Sequence, residues 1–130
     1  MRIEVSQVPP VEYSPNWRGH WVQRHQAGRT YGLAVFYCCV DYKNCLGDAF
    51  TPIQVARLDL TVVYPVTRVR DRDNLIAMFK PGLDAVVSAG LITGDDSKHL
   101  HWGEVNVEVD KDRAPLTIIE LEEIGPPLAG

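Results

Sequence analysis

Ten residues, Val55–Tyr64, constrain the architecture more than any other stretch of this chain. Leu58, Leu60, Val62 and Tyr64 alternate with Arg57, Asp59, Thr61 and Val63, and β-branched residues dominate. Period-two alternation sends one set of side chains to each face of a sheet. Pro65 stops the run, because proline cannot donate to a strand ladder. A strand of this kind needs partners, and three segments offer them. Residues 1–8 alternate Ile3 and Val5 with Arg2, Glu4 and Ser6. Residues 102–109 carry Val105, Val107 and Val109 on one face, and residues 116–121 follow after a polar turn. These last two are expected to pair as a hairpin around 110–114.

Two helices are expected against that sheet. Residues 20 to about 44 place Tyr31, Val35, Cys38 and Cys39 on one stripe, although Gly28 and Gly32 each lower helix propensity. Residues 74–89, ending at Gly90, turn Leu75, Ile76, Phe79, Leu83, Val86 and Val87 to the core. At about 100° per residue, Asp73, Ala77, Lys80 and Asp84 share the opposite stripe. Pro81 lacks a backbone donor and is expected to kink the helix beside Lys80. The fold class is therefore α+β: a small mixed sheet of about four strands packed with two helices. It forms one domain over 1–124, with a loose tail at 125–130.

With 130 residues, 45% hydrophobic and 23% charged, the composition is that of a soluble globular domain. The longest apolar run, residues 33–40, is far short of the roughly 20 that a membrane span needs. No apolar segment follows a basic start, so neither a membrane anchor nor a secretion signal is expected. Cys38, Cys39 and Cys45 fit neither a disulfide framework nor a zinc spacing. They read as small buried hydrophobes in a reducing compartment, and the cytoplasm is the expected address.

A net charge of −4 argues against a nucleic-acid partner only on average. Between Tyr13 and Val40 there is no acidic residue, while Arg18, Arg24, Arg29, His20 and His25 are present. Arg68, Arg70 and Arg72 form a second basic patch. The acids collect between Glu104 and Glu123, so one face can favour phosphate despite the acidic total.

Beside the second basic patch lie the candidate metal ligands. Asp71 and Asp73, two apart in an extended segment, can aim both carboxylates at one point; a helix cap is the bland alternative for Asp73. Asp95 and Asp96 follow the Gly94 turn beyond the helix, and a chain folded back there brings them toward the first pair. Carboxylates brought together repel unless a cation sits among them. All-oxygen donors with open positions suit Mg2+, with Mn2+ as its substitute, and not Zn2+. Lys80 is positioned to neutralise a phosphate or to pair with Asp84 on the helix surface. His20, His25, His99 and His101 show no ligand spacing and are expected to be structural, although His99 and His101 lie close enough to the acids to contact a phosphate.

Residues 68–96 resemble the RusA family of Holliday junction resolvases. The matching pattern is Asp71, Asp73-Asn74, a helix with a lysine, Asp84-Ala85-Val86, Gly90 and Asp95-Asp96. The loop Pro15-Asn16-Trp17-Arg18 also resembles the Pro-rich N-terminal turn of that family, and the order of elements is similar over nearly the whole chain. The resemblance implies a homodimeric, Mg2+-dependent endodeoxyribonuclease that nicks branched DNA, in a family frequent in prophages. It implies Asp71, Asp73 and Asp96 as catalytic metal ligands, with Asp95 as the other member of its pair, and Lys80 as the catalytic lysine. Arg68, Arg70, Arg72, Asn74, Asn16, Trp17 and Arg18 become the DNA contacts. Two departures stand out. The family lysine falls at Ala77, with Lys80 three residues on, about 4.5 Å along a helix axis. Thr93-Gly94 lengthens the approach to the paired aspartates. Two other classes stay open: a DNA-structure-binding module without catalysis, and a metal-dependent nucleotide phosphohydrolase.

Overall fold

The computed structural model describes residues 1–67 and 71–125. Seven main elements follow in order: β1 (Arg2–Val5), α1 (Trp21–Leu46), β2 (Val55–Tyr64), α2 (Arg72–Met78), α3 (Lys80–Ser88), β3 (Leu100–Val109) and β4 (Leu116–Gly125). Single 3-10 turns at Val11–Tyr13 and Gly47–Ala49 flank α1. The mixed α+β class, the four-stranded sheet and the bounds of β2 are as the sequence predicts. Among the described residues no helix is long and apolar enough to cross a membrane.

The sheet order is β1-β4-β2-β3, and here the expected hairpin fails. β3 runs parallel to one edge of β2, while β4 runs antiparallel along the other. The physical reason is the burial of β2. Leu58, Leu60, Val62 and Val63 are fully buried, so this strand belongs in the middle with a partner on each side. Val109 lies beside Tyr64 and Leu116 beside Val63, so the connection at 110–115 only has to step over the end of β2. That step is two strand spacings, about 10 Å, which six residues span easily. The Asp110 N–H donates to the Tyr64 carbonyl at 2.9 Å and anchors the step.

A bulge shapes the β2–β3 pair. Leu58 faces Trp102 but Leu60 faces Val105, so Gly103 and Glu104 together oppose Asp59. Asp59 Oδ1 accepts the Glu104 N–H at 2.7 Å and Arg57 Nε at 3.2 Å, filling the space where a side chain on residue 103 would stand.

The expected second helix is two. α2 and α3 meet at Phe79, beside the proline that the sequence marks as a kink. Pro81 cannot donate to Ala77, so the ladder loses a rung there. The path stays nearly continuous, since Phe79 N–H reaches Leu75 O at 2.9 Å and Leu83 N–H reaches Phe79 O at 3.0 Å. The glycines of α1 lie where the two helical segments touch. A Cβ on Gly32 would lie 3.2 Å from the Pro81 carbonyl oxygen, and one on Gly28 would press into the Tyr13 ring. Tyr31, Val35 and Cys39 of α1 join Leu75, Phe79, Leu83 and Val86 over Leu58, Leu60, Val62 and Ile119 of the sheet. The three cysteines differ: Cys39 is buried with its thiol pushed up to about 12 by desolvation, Cys38 is half-buried, and Cys45 is exposed, contrary to a uniformly buried set. The expected tail begins one residue inside β4, and 126–130 lie outside the described residues.

Tyr31 links α1 to β4 through a buried side-chain hydrogen bond. Thr117 Oγ1 donates to the Gln7 carbonyl at 2.6 Å, so the Tyr31 hydroxyl must donate to Thr117, at 2.9 Å. Burial, the largest cause, raises the phenol far above its ordinary value.

Candidate active site

Asp71 is the residue before α2, extended at φ −81° and ψ 135°, with its carbonyl accepting the Leu75 N–H at 3.0 Å. Its side chain makes no capping hydrogen bond. Asp73, in the first turn, has 90% of its side chain exposed and stands 3.9 Å from the Arg72 guanidinium, beyond hydrogen-bonding distance. Asp71 thus occupies the N-cap position without a side-chain cap bond, and Asp73 lies in the first turn, where the helix dipole favours an anion.

Lys80 is the first residue of α3. Its ammonium donates at 2.8 Å to Asp84 and at 2.8 Å to Asp95. Asp84 first, then Asp95, raises Lys80 above its ordinary value, and the Lys80 hydrogen bond holds Asp95 below the usual carboxylate range. The sequence reading of Lys80–Asp84 as a surface pair is met, and Asp95 extends it to the turn before β3.

The paired aspartates diverge. Asp95 reaches α3, whereas Asp96 folds into its own turn. Asp96 Oδ1 accepts the Lys98 N–H at 2.8 Å, and His99 Nδ1 lies 2.9 Å from both carboxylate oxygens. His99, then the Lys98 N–H, keeps Asp96 below its usual range. Gly94 permits the turn, since a Cβ there would sit 3.3 Å from Asp96 Oδ2. Among the described residues no three histidines, cysteines or carboxylates converge closely enough to hold a metal. Asp71 and Asp73 thus stand at the start of α2, while Asp95 pairs with Lys80 and Asp96 with His99.

The other sequence candidates fall in two places. Arg68 and Arg70 lie outside the described residues. Arg72 reaches the Gly103 carbonyl of β3 at 3.5 Å. Asn74, half-buried, accepts the Ser14 hydroxyl at 2.8 Å, and Ser14 in turn accepts the Asn16 N–H. This bond ties the loop of Asn16, Trp17 and Arg18 to α2. Asn16 and Arg18 are exposed, and Trp17 is half-buried, folded over Gly19. The sequence does not single out Ser14, and it places Arg24 in the acid-free stretch and His99 near the acids without disclosing their partners. Arg24 donates to the carbonyls of Glu12 and Ser14 and lies 4.1 Å over the Tyr13 ring, fastening the same loop to α1. Ser-Pro-Asn at 14–16 is a turn signal that could have exposed Ser14.

Lys80→Met tests the ion-pair network. In the wild type Asp95 is lowered, so its share of stability is present above the unfolded value near 3.9 and is lost as pH falls through the folded value. Lys80 is raised, so its share is present below about 10.4 and is lost as pH rises through the folded value. Lys80→Met should leave stability near pH 7 lower by less than about 1 kcal/mol, because these groups are solvent-screened. NMR titration of the Asp95 carboxyl should move upward in the variant; an unmoved titration would remove Lys80 as its partner.

Comparison with protein-family models and with curated proteins returns no match.

Proposed function

We propose that this protein is a Mg2+-dependent endodeoxyribonuclease that nicks branched DNA, acting as a homodimer in the cytoplasm. The observation that carries the reading is the freedom of Asp71 and Asp73. Asp71 makes no side-chain cap bond, and Asp73, 90% exposed, has only a long 3.9 Å ion pair with Arg72 among the described residues. The donor chemistry fits the ion. Mg2+ commonly takes one or two carboxylates and completes its shell with water and substrate phosphate oxygens, so a preformed all-protein cage is not required. Asp71 and Asp73 would hold it, with Asp96 and Asp95 as the further acids implied by the RusA resemblance. When bound, the ion supplies an activated water and charge stabilisation at the phosphate. Lys80 offers an ammonium to the phosphate, and Arg72 and Arg18 offer backbone contacts.

A second reading is binding to branched DNA without cutting. It is favoured by the Lys80 ammonium being held between Asp84 and Asp95, and by alanine at position 77. One assay separates the two: a synthetic four-way junction and a linear duplex of the same sequence, each with and without Mg2+. Mg2+-dependent nicks confined to the junction are expected. Tight junction binding with no nicks supports the second reading, and equal inactivity and non-binding on both substrates overturns both.

A further inference from the structure

The acid-free stretch between Tyr13 and Val40 places its charge on the outside of α1. Arg18, His20, His25 and Arg29 are exposed, and Trp21, the first residue of the helix, leaves 71% of its surface open to solvent. A tryptophan so exposed forgoes the burial that its large ring normally gains. The ring is nonetheless positioned. The His20 imidazole lies against it, centroids 5.7 Å apart and planes 28° from parallel, while His20 Nδ1 accepts the Val22 N–H and fixes itself to the helix start. Trp21, His25 and Arg29 recur every four residues, about 6 Å of rise per step, and form one stripe.

The charges of this face are uncompensated. Arg2 pairs with Glu4, Arg57 with Asp59, and Lys80 with Asp84 and Asp95. Among the described residues no carboxylate lies within ion-pair distance of Arg18, Arg24 or Arg29. Arg24 directs its guanidinium at main-chain carbonyls, which leaves its charge in place. A cleft of about 480 Å³ is bordered by His25, Arg29 and Leu33 on α1 and by Pro81 and Asp84, the ion-pair partner of Lys80, on α3.

We propose that the outer face of α1 binds an unpaired nucleic-acid strand, with a base stacked on Trp21 and its phosphates on Arg18 and Arg29. The inference rests on the branched-DNA reading, since unpaired segments occur where strands part. Stacking on a single aromatic is tolerant of sequence, so the recognised feature is an exposed base face beside a phosphate, and not a particular base.

The test uses a short fluorescein-labelled oligothymidylate and fluorescence anisotropy in EDTA, so that no cutting is involved. Trp21→Ala should weaken binding on the order of tenfold or more, and Trp21→Phe should keep most of it. Arg29→Ala should weaken binding and reduce the slope of log affinity against log salt by about 0.7, the loss of one phosphate contact on a single strand. Both positions are exposed, so the thermal midpoint should hardly move. Equal binding by wild type and Trp21→Ala overturns the proposal, as does a wild type that does not bind the oligonucleotide. So does sedimentation in which Trp21→Ala converts a dimer to monomer with oligonucleotide binding unchanged, because a second copy of the chain is then what covers this face. A protein that binds the oligonucleotide yet never nicks a junction keeps this inference and loses the nuclease reading; the reverse outcome does the opposite.

Discussion

Replacing Phe79 by alanine is expected to lower the free energy of unfolding by about 3–5 kcal/mol. Phe79 is fully buried where α2 hands over to α3, and it joins three elements at once. Its ring meets Tyr31 of α1 edge-on, with centroids 6.3 Å apart, and Trp102 of β3 edge-on at 6.2 Å. Gly82 lies so close beneath that a Cβ there would be 2.8 Å from the ring, and as a glycine it has no side chain to fill the vacated space. A cavity that cannot collapse puts the cost toward the upper end of the range. Since small domains have only about 5–15 kcal/mol in total, the variant loses a large share of its stability. Urea denaturation should show a lower midpoint at an unchanged slope, and Phe79→Leu should lose less. A loss below about 1 kcal/mol would show that the helices and β3 are not joined through this ring.

The sequence made β2 legible almost to the residue because two signals coincide there: strict alternation and a terminating proline. It made α1 legible despite Gly28 and Gly32, since the spacing of Tyr31, Val35 and Cys39 outweighs two weak helix formers. What local pattern did not disclose was why those glycines are there. They admit Tyr13 and Pro81, contacts between residues far apart in the chain. The misplaced hairpin has the same origin. A six-residue turn joins adjacent strands or strands two places apart equally well, and only the burial of β2 decides between them. At the candidate site, the Lys80–Asp84 pair followed from helical period alone. The divergence of Asp95 from Asp96 did not, because it depends on which partner each carboxylate meets, Lys80 or His99. Nor did the bond between Ser14 and Asn74, which unites two candidate segments across 60 positions of sequence.

Asp73→Asn is expected to abolish Mg2+-dependent nicking of a four-way junction while leaving the fold intact. The two halves of this expectation have separate physical grounds. The side chain is 90% exposed and makes no capping bond, so an isosteric amide should change stability by no more than about 0.5 kcal/mol. The amide nevertheless replaces an anionic oxygen with a neutral one at the place proposed to hold the cation. Charge stabilisation by a bound metal is worth several kcal/mol at the transition state, on the order of 10³-fold in rate. Asp71→Asn should fall by a similar factor, and the double variant should fall no further, because both carboxylates serve one ion and their losses do not add. Single-turnover nicking against a labelled junction, with binding measured separately, reads all three. Binding should persist in each variant, since the proposed backbone contacts lie on arginines and not on these acids. Unchanged nicking by Asp73→Asn would remove the Asp71–Asp73 pair from the site. Additive losses in the double variant would assign the two carboxylates to different tasks.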